Sequence, residues 1–242
     1  MKIGSKILIL LVVICQNGWA QGFANLDFEN AHFIVDPSGN LPPNSVYASN
    51  AIPGWTAYVG GVPQTDIFSN LPSAGSAWVS LLGTNPPSLG IFSMEPAFQG
   101  RWSIFLQGFS GNTNGFTGGA PVVASIGQTG QIPASAESLL FWGNLSLSYG
   151  NIFDVSFNGQ DLSLVTISNA LNYIVYGADV SRFAGQTGQL LFSAGNNTYA
   201  ELDNIQFSSV SITEPSAFAL AALGALFVGF RRWRTSSRWN LR

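Results

Sequence analysis

Short runs of β-branched and aromatic residues, each cut off by a cluster of Gly, Pro, Asn or Ser, recur along the middle of this chain, and that punctuation constrains its fold more than any other feature. No convincing amphipathic helix interrupts them. The spacing predicts strands over 25–29, 77–82, 102–107, 122–126, 138–142, 152–157, 162–167, 172–180, 189–193 and 200–211. In Phe153-Asp154-Val155-Ser156-Phe157 apolar and polar residues alternate with period two, the mark of an antiparallel sheet with one dry face. Residues 202–207 alternate less cleanly. Asn158-Gly159 supplies the positive φ of a tight hairpin and is expected to join 152–157 to 162–167. About ten short strands within roughly 190 residues predict an all-β fold, a two-sheet antiparallel sandwich or jelly roll, in one domain over 21–213. Hydrophobic residues at 46% and aromatics at 13% are enough to build its core and exclude a disordered chain.

Charge is scarce and unevenly placed. Only 9% of residues are charged, and between Gln21 and Thr213 Arg101 and Arg182 stand against eleven acidic residues, a net charge of −9. A chain this acidic has no basic face for a phosphate backbone, so nucleic acid is excluded as a partner. The only cysteine, Cys15, lies in the N-terminal apolar run, so the 21–213 domain forms no disulfide.

The two ends read as targeting segments. Lys2 and Lys6 precede nine apolar residues, Ile7 to Cys15, and Gly18-Trp19-Ala20 places small residues at the −3 and −1 positions of a cleavage site. Residues 1–20 are therefore expected to be a signal peptide, handled by the Sec machinery and signal peptidase. At the other end, Ala217 to Phe230 is a run of fourteen uncharged residues followed by Arg231, Arg232 and Arg234. As a helix it rises about 21 Å, short of the ~30 Å hydrocarbon core. The positive-inside rule leaves the arginines in the cytoplasm and the acidic domain outside.

Glu214-Pro215, the short apolar helix and the arginine cluster, in that order, resemble the PEP-CTERM sorting signal. Thr213 stands where that motif carries its first proline, and the tail beyond Arg234 is longer than usual. The resemblance implies that Glu214, Pro215, Arg231, Arg232 and Arg234 are read by exosortase, a transpeptidase-like membrane enzyme. It also implies an exported protein of a bacterium that makes extracellular polysaccharide, held at the membrane or released to the cell surface. The remaining 214–242 segment is then a sorting signal with its membrane helix at 217–230.

Three stretches of the 21–213 domain resemble the galactose-binding-like sandwich found in many carbohydrate-binding modules. They are Asn25-Leu26-Asp27-Phe28-Glu29-Asn30 as an opening strand, Ile52-Pro53-Gly54-Trp55 after it, and Ala200-Glu201-Leu202-Asp203-Asn204-Ile205 as the closing strand. The resemblance implies one structural Ca²⁺ where first and last strands meet, with Glu29 and Asp203 in the matching positions; otherwise these are solvated strand-end carboxylates. Ca²⁺ takes six to eight oxygens, so carbonyls or water would complete its shell.

Aromatic faces stack on pyranose rings, but an aromatic in a strand is usually core. Trp78, Trp102 and Trp142 are expected in the core, while Trp55 and Tyr58 are the ligand candidates. No catalytic residue is assigned. His32 is the only histidine and there is no Gly-x-Ser-x-Gly elbow, so neither a Ser-His-Asp site nor a standard zinc site is supported. The expected function is a non-catalytic surface or extracellular-matrix protein that binds polysaccharide. Two alternatives stay open. One is a secreted glycan-active hydrolase using two of Glu29, Glu95, Glu137 and Glu201. The other is a purely structural adhesin.

Overall fold

The computed structural model describes residues 21–32, 44–71, 76–83, 97–110, 120–146, 152–195 and 197–212. In chain order they form β1 (Ser45–Tyr47), the single turn α1 (Ala48–Ala51), β2 (Thr56–Val59), β3 (Val62–Pro63), β4 (Asp66–Ser69), β5 (Trp78–Gly83), β6 (Trp102–Gln107) and β7 (Ala124–Gln131). There follow β8 (Ser138–Ser146), β9 (Ile152–Phe157), β10 (Gln160–Asp161), β11 (Val165–Asn169), β12 (Ile174–Asp179), a 3₁₀ turn (Ser181–Phe183), β13 (Thr187–Gly195) and β14 (Tyr199–Ser208). They make two sheets, ordered β1-β4-β5-β6-β14-β8-β12-β11 and β10-β9-β13-β7-β2-β3. Every pairing is antiparallel except β4 with β5. This is the expected all-β architecture of two sheets.

The core lies between the sheets. β13 turns Leu190, Phe192 and Ala194 inward, and β9 turns Val155 and Phe157 to meet them. From the larger sheet come Val79 and Leu81, Ile104 and Leu106, Ala200 and Leu202, and Leu139 and Phe141. Phe141 is fully buried, its ring 5.4 Å from those of both Tyr176 and Phe192 and 6.1 Å from Phe153. Phe141→Ala would open a cavity no neighbour can fill. The expected cost is about 3–5 kcal/mol, read by urea unfolding.

The larger sheet departs from simple patterning. All six residues of β5 are buried, and so are five of the six in β6. At β5 and β6 the outward face, away from the core, is therefore also shielded from water.

β14 explains the imperfect alternation of the closing segment. Its register against β8 shifts between Asp203 and Gln206, and Asn204 adopts φ +49°. Before this bulge the even residues Ala200 and Leu202 face the core; after it the odd residues Ile205 and Phe207 do. An inserted residue moves the phase of the pleat by one, which Asn tolerates in the left-handed region.

Two expectations need correction. Residues 25–30 are a turn rather than a strand, with Asn25 at φ +51° and Phe28 at φ +57°. Asn25 holds the turn: its Oδ1 accepts from Asn30 N at 3.0 Å and its Nδ2 donates to Pro53 O at 3.1 Å. The fully buried Phe28 packs 5.7 Å from Trp55, and burial outweighs the cost of its backbone angle. The second concerns the hairpin. Asn158 and Gly159 both have positive φ as expected, but across that turn β9 pairs only with the two residues Gln160–Asp161, its other edge being bonded to β13. Leu162 is buried, and the chain then crosses to the other sheet, where β11 pairs with β12.

The first and last described segments meet at one end of the sandwich. Gly22 bridges to Gln131 at the end of β7, and the rings of Phe23 and Phe207 stack at 5.3 Å. Among the described residues no helix is long and apolar enough to cross a membrane. The signal segment and the sorting residues Glu214, Pro215, Arg231, Arg232 and Arg234 lie outside the described residues.

Candidate functional site

The bulge in β14 sets the position of Asp203, which is fully buried. Its Oδ1 accepts from Asn204 N at 2.6 Å, and its Oδ2 accepts from Gln99 N at 2.9 Å. Gln99 belongs to the segment that leads into β6, and Glu29 grips the same segment from the other side. Glu29 Oε1 accepts from Arg101 N at 2.7 Å and from Trp102 N at 3.0 Å. Gly100, at φ +63°, turns these two N–H groups toward the carboxylate. A Cβ on Gly100 would overlap the Glu29 carboxylate.

Asp27 is the third member. Its Oδ1 accepts from Glu29 N at 3.3 Å, and its charge reaches Asp203. The turn at 25–30 is tied to β14 by Ile205 N donating to Leu26 O at 2.9 Å. Thus the first described segment, the 97–102 segment and the last strand converge on three carboxylates.

Electrostatics at this point are unfavourable. Burial pushes the Asp203 carboxyl up, the N–H bonds from Gln99 and Asn204 pull it down, and the negative Glu29 and Asp27 push it up further; the net is about 7. None of the groups acting on Asp203 is positive. An aspartate so placed either holds a proton near neutrality or needs a cation beside it. Each carboxylate still has accepting capacity, because two N–H groups fill only part of its lone-pair sites. Glu29 Oε2 makes no hydrogen bond among the described residues. The donor set is hard oxygen, which suits Ca²⁺ and not a soft metal. Among the described residues no group of three or more His, Cys, Asp or Glu side chains is gathered closely enough to cage a metal by itself. Backbone carbonyls or water would have to supply most of the shell.

The aromatic candidates fall differently from expectation. Trp55 is only 5% exposed and sits in the core, its Nε1 donating to Asn25 O at 3.0 Å, so it has no open face for a sugar. Tyr58 is half-buried and its hydroxyl accepts from Gln189 Nε2 at 3.3 Å. Trp78 is buried, but on the outward face of the larger sheet and not in the core cluster. Trp102 is half-buried against the core. Trp142 is half-buried on the outward face, where it stacks on Tyr173 at 4.3 Å with planes 9° apart.

Of the acids considered for hydrolysis, Glu201 is 4% exposed and accepts from Ser103 Oγ at 2.7 Å. Glu137 is exposed, and Glu95 lies outside the described residues. His32 is exposed, with Nδ1 2.6 Å from Asn30 O. Sequence reasoning brought Glu29 and Asp203 to one place but missed Asp27 and the 99–102 segment. The latter contributes only main-chain N–H groups, which any residue type supplies.

Comparison with known families, curated proteins and solved structures finds no match for the chain.

Proposed function

We propose that this chain is an exported, non-catalytic surface or matrix protein whose sandwich is of the galactose-binding-like kind. Its C-terminus is sorted by exosortase, and its ectodomain engages extracellular polysaccharide. The observation that supports the reading is the convergence of the turn at 25–30 with the closing strand, which brings the charge of Glu29 within reach of Asp203, the two positions the galactose-binding-like resemblance singles out. These two carboxylates, with Asp27, hold one structural Ca²⁺ that locks the N-terminal turn and the 97–102 segment to β14. The signal at 1–20 and the Glu214-Pro215, apolar and arginine series support export and sorting.

Mass spectrometry of the mature protein from the producing cell tests the sorting. The expected product starts at Gln21 and has lost Arg231–Arg242. A mature surface protein that retains those arginines would replace sorting by plain anchoring.

A further inference from the structure

Between β10 and β11 the chain passes from the edge of one sheet to the edge of the other, and a cleft of about 410 Å³ opens beside that crossing. Small-ligand sites span this size. The crossing supplies Asp161 and Ser163, the end of β12 supplies Asp179, and the 3₁₀ turn supplies Arg182. All four residues are exposed, so the cleft is open to solvent. Its apolar part is the buried Leu162 with the half-buried Val165 and Ile212. Gly177, opposite Val165 in the register, makes room for this wall, because a Cβ there would overlap Ile212.

Two of the charged groups are held in place. Asp179 Oδ1 accepts from Ser181 N at 2.8 Å. The Ser181 hydroxyl and N–H, and then the Arg182 charge, keep the Asp179 carboxyl below its ordinary value, so it is ionised near neutrality. The Arg182 guanidinium lies 4.5 Å from the centre of the Phe183 ring, and Phe183 is anchored in the core, 5.0 Å from Phe157. Contact with a buried ring positions the guanidinium and leaves its N–H edge free to donate. Among the described residues that guanidinium makes no hydrogen bond or ion pair, and neither do the side chains of Asp161 and Ser163.

The cleft thus sets fixed donors and acceptors around an aliphatic floor. An anionic ligand would meet Asp161, Asp179 and the net charge of −9 over 21–213. A simple cation would meet Arg182. A ring of hydroxyls meets neither obstacle, because a hydroxyl accepts from a guanidinium and donates to a carboxylate. The C–H face of such a ring covers the apolar floor, and the ring displaces water from groups that only water now serves.

We infer that this cleft between β10, β11 and the 3₁₀ turn is a saccharide site for a neutral glycan, with Arg182 donating to ring hydroxyls and Asp161 and Asp179 accepting from them. This assignment rests on the polysaccharide reading above and gives it a place.

The test uses the full-length chain in mild detergent, titrated with cellohexaose, mannohexaose and maltohexaose. An alginate hexamer is the anionic control and a glucosamine hexamer the cationic one. The wild type is expected to bind at least one neutral hexamer, and Asp161→Asn and Arg182→Gln each to weaken it tenfold or more. The Ile212 methyl resonances, assigned by their loss in Ile212→Val, are expected to move on addition of that hexamer. This last titration needs only wild-type protein and decides the matter where a variant does not fold. Neutral-hexamer binding with unmoved Ile212 methyls overturns the cleft as the site and leaves polysaccharide binding standing. Binding to alginate or to the glucosamine hexamer alone overturns the neutral-glycan assignment. No binding to any hexamer overturns the site and the polysaccharide reading together.

Discussion

With calcium chelated, the melting temperature of this protein is expected to fall by about 8 °C between pH 5 and pH 8. Asp203 supplies the reason. Its carboxyl stands at about 7 in the fold against an ordinary value of 3.8. The raised value means that the folded state keeps a proton the unfolded chain has already lost. This group's contribution is therefore fully present below the ordinary value, and it is lost as pH rises through 7. Between pH 5 and the folded value of about 7 some two pH units at 1.36 kcal/mol each are lost, and almost nothing more above it, so the effect over this range is on the order of 3 kcal/mol.

Millimolar Ca²⁺ at pH 8 is expected to restore the loss, because a cation favours the charged carboxylate and binds only the folded site. Asp203→Asn should be nearly flat over the same range and indifferent to calcium. A wild-type profile that is equally flat under chelation removes the buried aspartate from the account. A chelated profile that slopes as described but ignores added Ca²⁺ removes the ion.

The second large effect is at Gly100. Alanine there must hold φ near +63°, and its Cβ would occupy the space of the Glu29 carboxylate. Backbone strain and the loss of two charge-assisted hydrogen bonds together are expected to cost about 3 kcal/mol in urea unfolding. Glu29→Gln keeps an acceptor oxygen and should cost only about 1 kcal/mol. Glu29→Ala is expected to cost far less in the Gly100→Ala background than alone, because the first change has already expelled the carboxylate. Additive effects of the two would show that Gly100 does not cradle Glu29.

How much of this could be read from the sequence depends on how each residue expresses its role. β6 and β9 were legible to the residue, since their side chains decide both face and ends. β1 to β4 were not: each has two to four residues, too few for period two to show. The closing strand looked irregular because a real bulge at Asn204 shifts its phase. Trp55 looked ambiguous beside Pro53-Gly54, although its indole nitrogen is spent on Asn25. Trp78 looked like core because a strand shielded on both faces carries apolar residues on both. Glu29 and Asp203 were found as a pair through a resemblance, but what they hold was invisible, because Gln99, Arg101 and Trp102 act through their backbones.

The place of β14 in the larger sheet has a mechanical consequence. It is the last strand among the described residues, yet it lies in the interior of the sheet, bonded to β6 on one side and β8 on the other. A pull on the tail runs along this strand, nearly at right angles to its ladder of hydrogen bonds. The bonds then bear the load together, in shear, where a terminal edge strand would unzip one rung at a time. A domain hung by this strand is suited to stay folded under a sustained pull.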